Sequence, residues 1–353
     1  MAERRSTRRS SRGGGGSVTV QDLAEAAGVS VASVSRALNN SGKVSDDVRG
    51  RVRDAANRLG YVPHAAARAL ASQSTHTIGA VVPTLENPNF AIGVEALQKR
   101  LAQAGYTLFV ASCGYDMDQE RQQVETLVTR GVDGIMLVGA LHSPGLHAYL
   151  RDRNIPFVDT WVMSGDPRVP SIGFDNMAAA VQMTDFLLDL GHKNFGVIAG
   201  VTKSNDRAIA RVKGIRKALK ARGLPLKQER MIERPYRIVD GQLAMRALMT
   251  EKNRPTAVIC GNDVLAFGAM LECQRLGIKI PNEVSIAGFD DLDFASQLVP
   301  PLTTINVPAD KIGDGAANYL LAAIENRPNL LAPQISVSLI VRGSTAPPPD
   351  RRN

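Results

Sequence analysis

The 353-residue chain has few cysteines and few aromatic residues. Aromatic residues make up 5% of it, and the 3 cysteines are Cys113, Cys260 and Cys273. Each cysteine lies among apolar residues, and their spacing fits neither a metal site nor an obvious disulfide pairing. We therefore predict buried free thiols in a reducing compartment, and neither a metal nor a cofactor. Hydrophobic residues make up 44% of the chain, enough for a sizeable core without cross-links.

Long apolar runs are also missing. No stretch of 18 apolar residues occurs, so we expect no membrane-spanning helix and no membrane partner. Residues 1–17 are rich in arginine and glycine and have no apolar stretch, which is unlike a secretory signal. These features predict a cytoplasmic, nucleoid-associated protein with disordered tails at 1–17 and 344–353.

Catalytic motifs are a third absence. The chain has no GxSxG turn and no GxxxxGK[ST] loop, and its five histidines are scattered along the sequence. His142 and His147 fall in the polar segment ALHSPGLH, where we expect them to be solvated and not to bind metal. The sequence therefore predicts that the protein is not an enzyme.

Positive charge is present in excess and concentrated near the N terminus. Residues 1–77 contain 12 Lys and Arg against 6 Asp and Glu, out of 42 and 34 in the whole chain. The remaining residues are nearly balanced, at 30 against 28. A basic field confined to one end favours binding to a polyanion such as DNA through that end.

The basic end contains a pattern of three short helices over 18–62. Gly28 ends the first helix at a tight turn, and Ser30 is a plausible N-cap for the second. An ordinary three-helix bundle is the alternative, but the AxxxGVSxxxVSR spacing favours a helix-turn-helix. The apolar positions at helical spacing are Val20, Leu23, Ala24 and Ala27, then Val34 and Leu38, then Val48, Val52, Ala55 and Leu59.

The segment LAEAAGVSVASVSRALN, followed by VSDDVRGRVRDAANRLGYVPHAAARAL, resembles the headpiece of the LacI/GalR family of bacterial transcriptional regulators. The resemblance extends to about Arg342, and PTLENPNFA and ECQRLGIKIP are similar to its gluconate-operon repressor branch. It implies a DNA-binding headpiece, a hinge and a two-lobed sensor for a small-molecule effector. The predicted DNA-contacting residues are Thr19, Ser30, Val31, Ala32, Ser33, Ser35, Arg36, Asn39, His64, Arg68 and Leu70.

The hinge is predicted at 63–76. Pro63 suits the first turn of a helix, and the alanines after it favour a helix that is too short to be stable alone. The resemblance implies that this segment folds in the minor groove, where Leu70 wedges between base pairs. A plain helical linker is the alternative.

The sensor is predicted at 77–343 as two α/β lobes with parallel sheets, because short apolar strands alternate with amphipathic helices. Lobe 1 takes residues 77–175 and 305–333, and lobe 2 takes 176–304 and 334–343. The resemblance implies a periplasmic-binding-protein-like fold with three crossings, near 174–176, 302–307 and 332–336. The predicted strands are 78–82, 107–111, 134–138, 157–159, 195–199, 257–260 and 285–288.

Open parallel sheets bind ligands at the carboxyl ends of their strands, and polar residues follow several predicted strands. Charged and amide groups there suit the hydroxyls of a sugar, and an arginine suits the carboxylate of a sugar acid. Arg211 is at the position that matches the family's effector-binding arginine. Helix caps, turns or core packing are the alternative roles for each residue. The predicted effector-binding residues are Phe90, Asp159, Phe174, Arg211, Tyr236, Asn262, Asp263 and Asp290.

These observations predict a homodimeric repressor of a carbohydrate-utilisation operon that reads a palindromic operator. Arg36 is expected to contact phosphates or base edges, and Val31 and Ala32 to contact thymine methyl groups. No leucine heptads follow the last sensor strand, so a coiled-coil tetramer is not expected. The alternatives are a sugar-binding transport receptor and a constitutive architectural DNA binder with a vestigial cleft.

Overall fold

A computed structural model describes residues 18–38, 44–61, 74–327 and 332–349. The chain divides into two compact units between Gln73 and Ser74. The predictions for Asn39, His64, Arg68 and Leu70, for the tail at 1–17 and for 63–73 of the hinge lie outside the described residues.

The first unit contains helices α1 (Val20–Ala27), α2 (Val31–Leu38) and α3 (Asp46–Leu59). A hydroxyl precedes each helix: Thr19, Ser30 and Ser45 accept hydrogen bonds from the backbone N–H three residues later. Gly28 ends α1 with a left-handed φ of 63°, which a side chain would disfavour. The turn and the cap that the sequence indicated are therefore present.

The headpiece core is small. Leu23, Val34 and Val52 are almost fully buried, whereas Leu38 is only partly buried and Ala37 packs inward instead. Arg51 adds a polar tie, because its Nε and NH2 donate to the carbonyl oxygen of Ala27 at 3.1 and 2.6 Å. These bonds satisfy a carbonyl at the end of α1, where the helix itself supplies no donor.

Lobe 1 of the second unit has a five-stranded sheet in the order β2-β1-β3-β4-β5, and all its pairs are parallel. Helices cover it, and α11 packs closely on α4. Its elements are β1 (Thr77–Val82), α4 (Pro88–Gln103), β2 (Thr107–Ser112), α5 (Met117–Thr129), β3 (Gly134–Val138), α6 (Leu146–Asp152), β4 (Phe157–Thr160), β5 (Ser171–Ile172) and α11 (Ala309–Ile324).

Lobe 2 has a four-stranded parallel sheet in the order β7-β6-β8-β9. Helix α7 packs on α8, and α9 packs on α10. The elements are α7 (Asn176–Asp189), β6 (Phe195–Gly200), α8 (Asp206–Ala221), a 3-10 turn (Gln228–Arg230), β7 (Met231–Arg234), α9 (Ile238–Met249), β8 (Ala257–Cys260), α10 (Asp263–Leu276), β9 (Ser285–Ala287) and a second 3-10 turn (Asp293–Ser296).

The segments that pass between the lobes lie side by side. Gly173, after β5, bridges to Gln334, and β10 (Thr304–Asn306) pairs antiparallel with β11 (Ser338–Ile340). Asn306 also bridges to Asp290 at the end of the lobe 2 sheet. A band of three neighbouring segments therefore connects the two lobes.

Two expectations about loops were wrong. The segment ALHSPGLH contains the start of helix α6, which begins after Gly145. Residues 344–349 are ordered and not a disordered tail: Ser344 is fully buried and donates to the carbonyl oxygen of Ile286, and Ala346 N donates to Ser285 Oγ. Buried partners on β9 provide the hydrogen bonds that hold this segment.

Candidate effector and DNA sites

A polar cavity lies at the carboxyl ends of both parallel sheets. Its volume is about 20 Å³, room for about one water molecule. The lining residues lie in loops that follow strands or in the first two turns of the helices after those loops, in agreement with the rule for open α/β sheets. The lining residues are Asn87, Asn89, Phe90, Tyr115 and Trp161 from lobe 1, and Asn205, Arg207, Arg211, Tyr236, Asn262 and Asp290 from lobe 2.

Arg211 is held on three sides by its surroundings. Its Nε donates to Asn176 Oδ1 at 2.9 Å, and its NH1 donates to the carbonyl oxygen of Gly261 at 2.7 Å. The guanidinium lies over the Phe289 ring, 3.6 Å from the ring centroid. Its NH2 is 3.8 Å from Asp290 Oδ1, too long for a hydrogen bond. The NH2 group therefore retains donor capacity at the cavity.

Asp290 is the acidic counterpart of Arg211 in the cavity. It is 5% exposed and has a positive φ of 115°, an unusual conformation for a residue with a side chain. Burial raises its pKa to about 6, although the charge of Arg211 acts in the opposite direction. Asp290 therefore changes charge near neutral pH, in the cavity wall.

Asn262 has a fixed orientation and an unused donor. Its Oδ1 accepts from Leu265 N at 3.0 Å, which caps helix α10. Its Nδ2 is buried, and among the described residues it has no hydrogen-bond partner. A buried donor without an acceptor is costly, so this group is a candidate for bonding a ligand oxygen.

Lobe 1 forms an aromatic and amide wall. Trp161 packs edge-on against Phe90 with ring centroids 5.2 Å apart, and its Nε1 donates to Asn89 Oδ1 at 3.0 Å. Gly93 makes room for the indole, because a Cβ there would come within 2.5 Å of the ring. This wall is closely packed and uncharged.

A larger cavity of about 420 Å³ adjoins the polar one and shares four of its residues. The rings of Tyr115 and Tyr236, which line both cavities, have centroids 6.4 Å apart. The combined space reaches the size range of small-molecule sites. The shared residues are Asn87, Tyr115, Asn205 and Tyr236.

A still larger cavity, of about 730 Å³, lies elsewhere in lobe 2. It is lined by Lys193, Phe195 and Thr256, near the amino-terminal ends of β6 and β8. Ligands of open parallel sheets bind at the opposite edge, so we place the site in the polar cavity despite its smaller volume.

The structure brings together five of the eight residues predicted for the effector site: Phe90, Arg211, Tyr236, Asn262 and Asp290. Asp159, Phe174 and Asp263 do not line the cavity. Asp263 is fully buried at the start of α10, where it accepts from Leu292 N at 2.8 Å and Thr304 Oγ1 at 2.6 Å. Burial, together with the charge of Asp290, raises its pKa.

Phe174 is 1% exposed and stacks on Phe289, the ring beneath Arg211. Asp159 faces away from the cavity, toward two histidines. His147 Nε2 is 3.2 Å from its Oδ1, and His142 Nε2 is 3.3 Å from the same oxygen. The placement of Asp159 and Phe174 in the cavity wall was therefore wrong, because tertiary contacts supply other partners for both.

The prediction that His142 and His147 are solvated was also wrong. Their side chains are 4% and 18% exposed. Burial by itself lowers the pKa of His142, but hydrogen bonds to Asp159 and Glu120 outweigh it and raise the pKa to about 10. Burial raises the pKa of Asp159, and bonding to both histidines brings it below its usual value.

Sequence reasoning missed Asn87, Asn89, Asn205 and Arg207 in the cavity. Arg207 had a signal, since it lies one helical turn before Arg211 on the same face of α8. It pairs with Asp206 at 2.7 Å. Trp161 lines the cavity from lobe 1 and was not among the predicted effector-binding residues. Tyr115 was not predicted either, although it follows β2 in the same way that Asn262 follows β8.

On the headpiece, α2 exposes Val31, Ala32, Ser35 and Arg36, whereas Ser33 is half-buried. Val31 is 44% exposed, so its apolar side chain is available for contact. Thr19 is exposed before α1, where it forms a capping box with Asp22. The predicted DNA-contacting residues of α2 that the structure describes thus share one outward surface.

Comparison with known proteins gives two family matches that together span most of the chain. Residues 19–64 match "Bacterial regulatory proteins, lacI family", and residues 75–341 match "Periplasmic binding proteins and sugar binding domain of LacI family". No helix in the described part of the chain has the length and apolar character needed to cross a membrane.

Relatives and solved structures agree with these matches. The transcriptional repressor PurR of Pectobacterium carotovorum is 32% identical over 94% of this chain and 98% of its own length. CytR of Escherichia coli K12 is 32% identical, over 93% and 96%. The Lac repressor dimer bound to operator and the anti-inducer ONPF superposes with a TM-score of 0.83, 27% identity and coverage of 94% and 100%.

Two further solved structures are similar. GntR from Chromobacterium violaceum has a TM-score of 0.72 and 29% identity, covering 76% of this chain and 99% of that one. The regulator CelR in complex with cellobiose has a TM-score of 0.68 and 26% identity, covering 93% and 99%.

A helix-turn-helix unit followed by a two-lobed α/β unit, with a polar cavity at the strand ends, defines a class of DNA-binding transcriptional regulators. The chain belongs to the LacI family of that class. The relatives named above are repressors and not enzymes, in line with the sequence prediction.

Proposed function

We propose that this protein is a repressor of carbohydrate-utilisation genes, and that its operator affinity is set by a sugar or sugar acid bound between the lobes. The observation that carries the proposal is the unused hydrogen-bonding capacity in the cavity wall. Arg211 NH2 is 3.8 Å from Asp290, and Asn262 Nδ2 has no partner among the described residues.

This set of groups suits a polyhydroxylated ligand. A hydroxyl can donate to Asp290 and accept from Asn262 at the same time, which an apolar competitor cannot do. Trp161, in the cavity wall, offers apolar surface to a sugar ring. A ligand carboxylate would add a charge-assisted bond to Arg211. The cellobiose found in CelR, a structural neighbour, supports a carbohydrate here.

The ligand must displace part of the cavity wall to enter. A space of about 20 Å³ holds a water molecule and not a hexose, whereas the adjoining cavity measures about 420 Å³. We propose that the ligand enters through the larger cavity and separates Tyr115 from Tyr236. The lobes then rearrange around it, which moves the three segments that connect them.

Calorimetric titration of the full-length protein with glucose and with gluconate tests the sensor half. A thermal-shift screen of other sugars and sugar phosphates would extend it, because a ligand at 100 times its Kd stabilises by about 2.7 kcal/mol. We expect Arg211→Gln to weaken binding by about tenfold or more. Lys213→Gln, an exposed position on the same helix, is the control. Equal affinities for both variants would contradict the role of Arg211.

For the DNA half we propose a homodimer on a pseudo-palindromic operator, as the Lac repressor dimer is bound to its operator. Arg36 contacts phosphates or base edges, and Val31 and Ala32 lie against thymine methyl groups. Arg36→Ala should weaken operator binding in a gel-shift assay by about tenfold or more while leaving sugar affinity unchanged. Arg275→Ala, on the exposed face of the sensor, should do neither.

The two halves must be coupled in both directions. A ligand that weakens operator binding is itself bound more weakly by the DNA complex, and by the same factor. Ligand titrations with and without operator DNA measure this directly. Identical ligand affinities in the two titrations would exclude allosteric control, even if the small molecule and the operator both bind.

A further inference from the structure

A buried cluster of four ionisable side chains lies in lobe 1, outside the effector cavity. His142 follows β3, His147 is on α6, Asp159 is on β4 and Glu120 is on α5. His142 Nε2 and His147 Nε2 both face Asp159 Oδ1, at 3.3 and 3.2 Å. His142 Nδ1 is 2.9 Å from Glu120 Oε1.

The hydrogen bonding of this cluster is unbalanced. Two imidazole nitrogens share one oxygen of Asp159, while its other oxygen, Oδ2, has no partner within the described residues. Glu120 Oε2 and Ser143 Oγ are likewise buried and unpartnered there. Asp159 is 0% and Glu120 6% exposed, so bulk water does not compensate. Buried carboxylate oxygens without a partner have acceptor capacity that a bound cation can use.

We propose that His142, His147 and Asp159 bind a divalent transition-metal ion of the Zn²⁺ class. The three side chains offer ligand atoms within 4.8 Å of one another. Ligands at tetrahedral Zn²⁺, with bonds of about 2.0–2.2 Å, lie about 3.3–3.5 Å apart. The two nitrogen–oxygen distances of 3.2 and 3.3 Å are close to that separation. Two imidazoles and one carboxylate are a ligand set that such ions use.

Glu120 completes the site as a positioning residue. Its bond to His142 Nδ1 holds the proton on that nitrogen, so Nε2 is the nitrogen that can bind the metal. Nε2 lies 3.1 Å from the carbonyl oxygen of Gly139 and must give up its proton to do so. In the metal-free protein, each Nε2 that faces Asp159 Oδ1 must carry a proton to avoid opposing lone pairs. The metal ion replaces those protons and can also bind Asp159 Oδ2. His147, at 18% exposed, provides the access route.

The site has a structural link to lobe 2. The loop that carries His142 donates from Ala140 N to Asp206 Oδ2 at 2.6 Å, at the start of α8. A metal ion on His142 therefore restrains a lobe 1 loop that is hydrogen-bonded to lobe 2. The metal site does not depend on the identity of the effector.

Calorimetric titration of untagged, full-length, chelator-treated protein with Zn²⁺, and visible absorption with Co²⁺, test the proposal. We expect one tightly bound ion per chain. His147→Gln should weaken binding by at least about tenfold, and Glu120→Gln by about tenfold. His76→Gln, an exposed histidine outside the cluster, should leave the affinity unchanged.

Circular dichroism confirms that each variant is folded, and His142→Gln replaces His147→Gln if that variant is not. Two results would overturn the proposal. One is the absence of saturable binding of Zn²⁺ or Co²⁺ to the unaltered protein. The other is an equal affinity in the cluster variants and in His76→Gln, which would place the bound ion elsewhere.

Discussion

The two lobes have the same central strand order, β2-β1-β3 and β7-β6-β8, yet they use their acidic strand-end residues differently. In lobe 1, Asp159 at the end of β4 is turned away from the cavity, toward His142 and His147. In lobe 2, Asp290 just after β9 lines the cavity opposite Arg211.

Backbone conformation accounts for much of this difference. Asp290 has a φ of 115° and so leaves the strand direction just at the cavity. Asp159 is still within its strand, and the chain turns only at Trp161, with a φ of 60°. The indole, and not the carboxylate, therefore reaches the cavity from lobe 1. Topology brings strand ends together, but local backbone angles decide which side chain faces the ligand.

The largest predicted effect is on stability. It separates the structural carboxylate of Asp263 from the cavity-lining carboxylate of Asp290, both in lobe 2. Asp263→Ala should lower the free energy of unfolding by about 2–4 kcal/mol, since it leaves Leu292 N and Thr304 Oγ1 without their acceptor. Chemical denaturation measures the loss. Asp175→Ala, which removes an exposed helix cap with two backbone bonds, should cost only about 1 kcal/mol. Equal losses would mean that the burial of Asp263 does not increase its contribution to the free energy of unfolding.

The second prediction concerns pH and tests the ligand-facing role of Asp290. Its pKa is about 6, so it is ionised at neutral pH and mostly protonated at about pH 5. A neutral sugar that donates to the carboxylate should lose affinity as the pH falls, by about tenfold at about pH 5. A sugar acid should show the opposite sign, since protonation removes a like charge. Calorimetry across this range distinguishes the two ligands.

Asp290→Asn is the control for that experiment, because the amide cannot ionise. The affinity of this variant should be nearly independent of pH between about 5 and 7.5. A pH dependence that persists in Asp290→Asn would assign it to another group. The charge of Arg211 lowers the pKa of Asp290, and the charge of Asp290 in turn raises the pKa values of Asp263, Tyr115 and Tyr236.

The smallest predicted effect concerns the uncharged wall of lobe 1. Trp161→Phe keeps an aromatic ring but removes the bond from Nε1 to Asn89. Of glucose and gluconate, the ligand that binds more tightly to the unaltered protein is used for this test. We expect the variant to bind it about fivefold more weakly, equivalent to about 1 kcal/mol. Tyr149→Phe, on α6 away from the cavity, should bind like the unaltered protein. A loss of affinity as large as that of Arg211→Gln would mean that the uncharged wall of lobe 1 contributes as much to binding as the arginine of lobe 2.

Much of the fold followed from local sequence. Hydrophobic periodicity and caps indicated the three helices of the headpiece, and short apolar runs placed seven sensor strands within one residue of their observed bounds, since these signals are local. Asn262 and Asp290 reached the cavity as predicted, because each lies just after a strand of lobe 2. Arg211 reaches it from the second turn of α8, the helix that follows β6. The effector and DNA-contacting roles of the individual residues remain predictions.

The sequence by itself determined the class of protein, the order of its units and the sheet edge where polar residues gather. It did so through patterns that span a few residues and through the resemblance to a family. Only the tertiary structure decided which of those residues face the cavity. His142 and His147 lie within a polar loop and the helix after it, and nothing near them in sequence indicates burial. Their side chains are largely enclosed because β4 places Asp159 at hydrogen-bonding distance from both, and α5 places Glu120 at that distance from His142.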